Sequence, residues 1–189
     1  MPMMPPLPRR SGRKASDIAR LMEIDFLTDD EAWRALPERE AQAHAAIRAV
    51  FEVLQSPAPE AELSLVFTSD QAVAELNRVW RGKAEPTNVL SFPAAGGAWP
   101  GAPRALGDIV LAAGVVSREA RTSGKPLANH TSHLIIHGLL HLVGYDHEDD
   151  ARAEAMERLE AEVMARLGLP DPYEGAQAPG REQPTSAAG

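Results

Sequence analysis

The chain alternates between short runs in which every second residue is apolar and longer ones with an apolar stripe every three or four, the periods of strands and helices. ARLMEIDF (19–26) and ELSLVFT (62–68) have the two-residue period and predict strands. Between them, Asp29 and Asp30 open a helical region that runs through AQAHAAIRAVFEVL (41–54) and is closed by Ser56, Pro57 and Pro59. Ser69 or Asp70 is placed to cap the next helix, QAVAELNRVWR (71–81), and Gly82 to close it. PTNVLSFP (86–93) reads as extended and leads into a Gly/Pro-rich loop. LGDIVLAA (106–113) has the unbroken apolar run of a strand covered on both faces. A short helix follows over Val115–Thr122, then a strongly apolar helix capped by Asn129 or Thr131, then an amphipathic helix, ARAEAMERLEAEVMARLG, stopped at Gly168. The order βαβαββααα predicts an α+β fold, a small mixed β-sheet covered by helices.

The apolar helix carries the chemistry. In HLIIHGLLHLVGYDHEDD, His137 and His141 are four residues apart and share one helix face. His147 comes six later, and an uninterrupted helix turns it roughly 240° away. Gly144 lies between them and takes the left-handed conformation that ends a helix, so His147 can return to the other two. Buried imidazoles among Leu134, Ile135, Ile136, Leu139 and Leu140 need a partner for each ring nitrogen, and one metal ion serves all three. Three histidines with no fourth protein ligand describe a zinc site with an open coordination position, the catalytic kind. His133 is a further turn back; histidines on three successive turns span about 12 Å, too far for one ion, so it is expected outside the ligand set. His130 is assigned to the helix start and His44 to an ordinary exposed helix.

Composition narrows the class. A chain of 189 residues, 44% hydrophobic, buries one good core and is expected to form a single domain over 18–173. MPMMPPLPRRSGRKAS lacks a signal-peptide apolar core, so 1–17 is expected to be a disordered basic, proline-rich arm, and the Ala/Gly/Pro/Gln-rich 174–189 a disordered tail. No cysteine is present, which excludes disulfides and thiolate metal sites and fits a cytoplasmic protein. The longest apolar run is too short for a bilayer. A net charge of -8 argues against general nucleic-acid binding. The acids are uneven, however: Glu148, Asp149, Asp150, Glu154, Glu157, Glu160 and Glu162 crowd the segment after the histidines. Arg78, Arg81, Lys83 and Arg104 leave room for a local cationic groove.

Zinc on three histidines acidifies bound water and polarises a carbonyl or phosphoryl oxygen, so hydrolysis is the expected chemistry. Peptidases with this histidine spacing carry a glutamate general base straight after the first histidine; here that position is Gly138. Asp146 or Glu148 can replace it, or can equally be a turn former and a solvated acid. Arg81 suits a phosphate, gripped by two hydrogen bonds, and equally suits a helix-end charge. Asn88 and Ser91 either bind substrate or tie down a strand end. Asp108, inside an apolar strand, needs a partner: a metal-binding histidine or a loop amide. Hydrolysis of a phosphodiester and hydrolysis of an amide, as by a metal-dependent peptidase, both remain open on the residues alone.

LNRVWRGKAEPTNVLSFP, LGDIVLA and HGLLHLVGYDHEDD, with the terminal LGLPDPY, resemble the YbeY family of bacterial endoribonucleases over about residues 18 to 173. The resemblance implies an α+β domain with a zinc-bearing cleft, metal ligands His137, His141 and His147, and a functional arginine at Arg81. It also implies single-strand-type cleavage of precursor ribosomal RNA, at the three-prime end of the small-subunit RNA, and a part in ribosome quality control. The implied partners are ribosomal RNA, small ribosomal subunit proteins and a ribosome-assembly GTPase. With the resemblance included, three functions stand beside one another: a zinc-dependent endoribonuclease, a metal-dependent peptidase or amide hydrolase, and a ribosome assembly factor with a mainly structural zinc.

Overall fold

A computed structural model describes residues 22–56, 61–94 and 104–174. Four strands form one sheet: β1 (Met22–Thr28), β2 (Ala61–Thr68), β3 (Val89–Pro93) and β4 (Arg104–Ala112), in the order β1-β2-β4-β3. β1, β2 and β4 run parallel and β3 is antiparallel to β4, so the sheet is mixed, as expected for an α+β fold. The helices are α1 (Arg39–Val53), α2 (Asp70–Arg81), α3 (Ala113–Thr122), α4 (Leu127–Leu142) and α5 (Asp150–Arg166), with a 3-10 turn over Glu31–Ala35. Among the described residues, no helix is long and apolar enough to cross a membrane.

The two-residue period of the strands sets which helix covers which face. Leu63, Leu65 and Phe67 of β2, with Ile109 and Leu111 of β4, point into the main core, where Ile47, Val50 and Phe51 of α1, Ile135, Ile136, Leu139 and Leu140 of α4, and Met156 and Val163 of α5 meet them. Val110 and Ala112 point the other way and bury with Leu90 of β3 against Val73 of α2. α4 and α2 therefore lie on opposite faces of the sheet, with β3 as the edge strand between them.

Several boundaries differ from expectation. β1 ends at Thr28, and the helical region after it is two pieces. Asp30 caps the 3-10 turn through the Ala32 amide, and the chain breaks at Leu36 before α1. Pro37 explains the break, since it donates no hydrogen bond and disfavours helical geometry in the residue before it. Ser69 caps α2 through the Ala72 amide, while Asp70 caps α3 by accepting from the Val115 amide, so α3 begins at Ala113. α4 starts at Leu127, directly after Pro126, with no side-chain cap; neither Asn129 nor Thr131 caps it. The expected arm 1–17 and nearly all of the expected tail 174–189 lie outside the described residues, as do Trp99 and the loop around it.

Candidate functional site

α4 ends where the sequence asks it to. Gly144 adopts φ 101°, and the Tyr145 amide reaches back to the Leu140 carbonyl at 3.0 Å, closing the helix in a left-handed turn. Asp146 shapes the next turn: its carboxylate accepts from the Glu148 amide at 3.2 Å and pairs with Arg152 at 2.8 Å. The amide bond, ahead of Arg152, holds its carboxyl below the usual range. Between these two devices His147 swings back toward the helix. Its ring centroid is 5.7 Å from that of His137 and 5.0 Å from that of His141.

His137, His141 and His147 form a group able to hold a metal ion, each offering one nitrogen, all within 4.8 Å of one another. The Nε2 atoms of His137 and His141 are 3.1 Å apart. Zinc–imidazole bonds of about 2.0–2.1 Å put adjacent ligand nitrogens at about that separation. The other ring nitrogens fix the tautomers. His141 donates from Nδ1 to the Tyr145 carbonyl at 3.0 Å, and His137 from Nδ1 to Glu160 Oε1 at 2.7 Å, so the Nε2 lone pairs face each other. Burial first, and then the neighbouring His137 ring, which a proton on His141 would crowd, hold His141 below the ordinary imidazole value, favouring the neutral form a metal takes.

Glu160 is the residue the sequence reading missed. It is 1% exposed, and its carboxylate accepts hydrogen bonds from His137, from His133 Nε2 at 2.7 Å and from the Tyr173 hydroxyl. Burial pushes this carboxyl up, but the three donors outweigh it and hold Glu160 down to about 2. Tyr173 in turn is pushed up, first by burial and then by Glu160. His133 stands outside the ligand group and instead braces the carboxylate that orients His137. The backbone around Tyr173 is tied down by Lys125, which donates to the Pro172 carbonyl. The missed signal was periodic: Glu160 falls on the stripe of Met156, Val163 and Met164, the buried face of α5.

The remaining candidates separate cleanly. Asn88 ties the start of β3 to α3, donating to Glu119 at 3.0 Å, and Glu119 also pairs with His130 at 2.8 Å. His44 is exposed and packs edge-on against Phe26. Asp108 is exposed and bonds to no histidine or loop amide among the described residues, which corrects the expectation of a partner. Gly138 is buried against the sheet: a Cβ there would meet Ser91 Oγ at 2.9 Å and Ile109 Cγ2 at 3.0 Å. Any side chain at this position would run into β3 and β4.

Arg81 is exposed at the last turn of α2, before Gly82 in the left-handed conformation, with no side-chain partner among the described residues. Consecutive residues of β3 connect it to the histidines. Ser91 points to the α4 face and lies against Gly138, next to His137; Phe92 points to the α2 face and touches Trp80, next to Arg81. The helices that carry Arg81 and the histidines thus pack on opposite faces of the edge strand, through Trp80 on Phe92 and Gly138 on Ser91.

The family model described as endoribonuclease YbeY matches residues 28–168. The chain belongs to the YbeY family. An endoribonuclease YbeY of Azorhizobium caulinodans is 48% identical over 153 residues, covering 80% of this chain and 96% of that protein. One of Rhodopseudomonas palustris is 51% identical over 146 residues, covering 76% of this chain and 87% of its own length. A solution structure of a Thermotoga maritima protein aligns with TM-score 0.47 at 23% identity, covering 84% of this chain and 99% of that one.

Proposed function

We propose that the protein is a zinc-dependent endoribonuclease, with His137, His141 and His147 as metal ligands and Arg81 as the residue that meets the phosphate. The observation that carries this reading is the pair of Nε2 atoms 3.1 Å apart, each ring's other nitrogen already engaged. A zinc ion bound there supplies Lewis acidity, polarising a phosphoryl oxygen and acidifying water. The chain's own residues do the rest. Glu160 and the Tyr145 carbonyl hold the two helix-borne rings in register. Arg81, permanently charged, offsets negative charge growing on the phosphoryl oxygens as the bond breaks. Asp146 and Glu148 border the site, and Asp146 is engaged in its own turn.

A peptidase is the weaker reading. Its glutamate base would occupy the position of Gly138, where a side chain collides with Ser91 and Ile109. An assembly factor with a structural zinc fits poorly with a ligand group that offers three protein nitrogens and no fourth donor among the described residues. Family membership supports precursor ribosomal RNA as substrate, cleaved at the three-prime end of the small-subunit RNA, and a cytoplasmic role in ribosome quality control beside small-subunit proteins and an assembly GTPase. The working unit of this reading is the domain over 18–173.

Incubating purified protein with RNA and with casein, each with and without chelator, tests the assignment. Chelator-sensitive RNA cleavage that is absent from the His141→Ala protein is the expected result. Casein cleavage without RNA cleavage overturns it.

A further inference from the structure

Trp80 breaks the pattern of its own helix. Val73 and Asn77 of α2 are buried on the stripe facing the sheet, and Trp80 continues that stripe by the next helical step, yet it is 69% exposed. The sheet runs out beneath it, because β3 is the edge strand. The indole overhangs that edge and leans on Phe92, with ring centroids 5.7 Å apart and planes tilted by 54°. Neighbouring Val79 is 61% exposed. Large apolar side chains clustered at an open edge mark a contact surface rather than a core.

The charges beside this shelf select its occupant. Arg78 is neutralised by Glu75 at 2.5 Å, but Arg81 and Lys83 have no carboxylate partner among the described residues. An exposed indole next to two unpaired cations fits a ligand that is both anionic and aromatic, which describes a single strand of nucleic acid better than an apolar peptide. Asp108, exposed and in register with Phe92 on the same face, is an opposing charge and does not pair with Arg81. The shelf rests on Phe92, and the next residue of β3, Ser91, lies against Gly138 of the histidine-bearing helix on the other face, so the β3 edge is the path between the two.

We propose that Trp80, leaning on Phe92 and flanked by Arg81 and Lys83, is a stacking shelf for a base of single-stranded RNA as the strand crosses the β3 edge toward the histidine site. This rests on the endoribonuclease reading and adds to it where the substrate lies.

The test measures binding of a short, unstructured, fluorescein-labelled oligoribonucleotide to the full chain by anisotropy, in a His141→Ala background that silences cleavage. Stacking on one aromatic side chain corresponds to roughly a tenfold change in Kd, so Trp80→Ala weakens binding by about that factor and Trp80→Phe restores most of it. Lys83→Ala lowers the slope of log Kd against log salt by about 0.7. Leu27→Ala, an exposed apolar residue on β1 at the opposite edge of the sheet, leaves Kd unchanged. Equal Kd for Trp80→Ala and its parent overturns the shelf while leaving the nuclease reading intact. The same holds if Trp80→Ala keeps RNA binding but loses a co-purifying protein, which assigns the surface to a protein partner. Failure of the zinc-loaded wild-type chain, as well as the parent and every variant, to bind RNA overturns the shelf and the RNA reading together.

Discussion

The two faces of β3 carry opposite kinds of order. On the α4 face, His133, His137 and Tyr173 all donate to the buried carboxylate of Glu160, a network formed within the protein that leaves His137 Nε2 open. On the α2 face, Arg81 and Trp80 are exposed, and Arg81 has no partner among the described residues. A metal ligand must be oriented to within a few tenths of an ångström, which packing and hydrogen bonds supply. A group that meets a long, flexible polyanion gains nothing from being committed to a protein partner first. On the proposed function, the contrast separates residues that would build the metal site from residues that would meet the RNA.

Breaking the built side has the largest expected effect. His141→Ala removes both a ligand and the site's contact with the Tyr145 carbonyl, so bound zinc and RNA cleavage fall to background together in metal analysis and a cleavage assay. Arg81→Ala acts on the other face: kcat/KM falls by roughly 10²–10³, the cost of losing one preorganised charge-stabilising donor. Its zinc content stays at the wild-type level, and stability shifts by no more than about 0.5 kcal/mol because the side chain is exposed. Parallel loss of zinc would move Arg81 to the built side and blur the distinction.

Glu160→Gln keeps the shape but disturbs the acceptor shared by His133, His137 and Tyr173. Zinc affinity, measured by competition with a chromophoric chelator, falls by about 10–100-fold. Unchanged affinity would reduce Glu160 to a packing role. Gly138→Ala has the smallest effect: contacts of 2.9 Å and 3.0 Å force α4 away from β3 and cost about 1–3 kcal/mol in denaturant unfolding.

Legibility from sequence followed the same division. The histidine trio could be read because its parts are local: a four-residue step, a glycine that ends the helix and a short return. Most of the helices and strands could be read from period and the mixed sheet from their order, although several boundaries moved. Glu160 could not, because it sits among six other acids of its segment, and acids on an amphipathic helix are ordinarily solvated. Only its place on the stripe of Met156 and Val163 sets it apart. Asp108 misled in the opposite sense: an apolar strand suggested burial, yet α2 covers Val110 and Ala112 and leaves Asp108 exposed. The start of α4 was misplaced because no side-chain cap marks it. The relation of Arg81 to the histidines depends on which way Ser91 and Phe92 point from β3, and that register is a tertiary fact.

One experiment bears on the centre of this account. Strip the full chain of metal with chelator, assay RNA cleavage, then add back zinc in measured equivalents, with His141→Ala treated in parallel. The stripped protein is expected to show no cleavage, recovery is expected to saturate at one zinc per chain, and the variant is expected not to recover. Undiminished cleavage by the metal-free protein, or recovery by the variant, would contradict it.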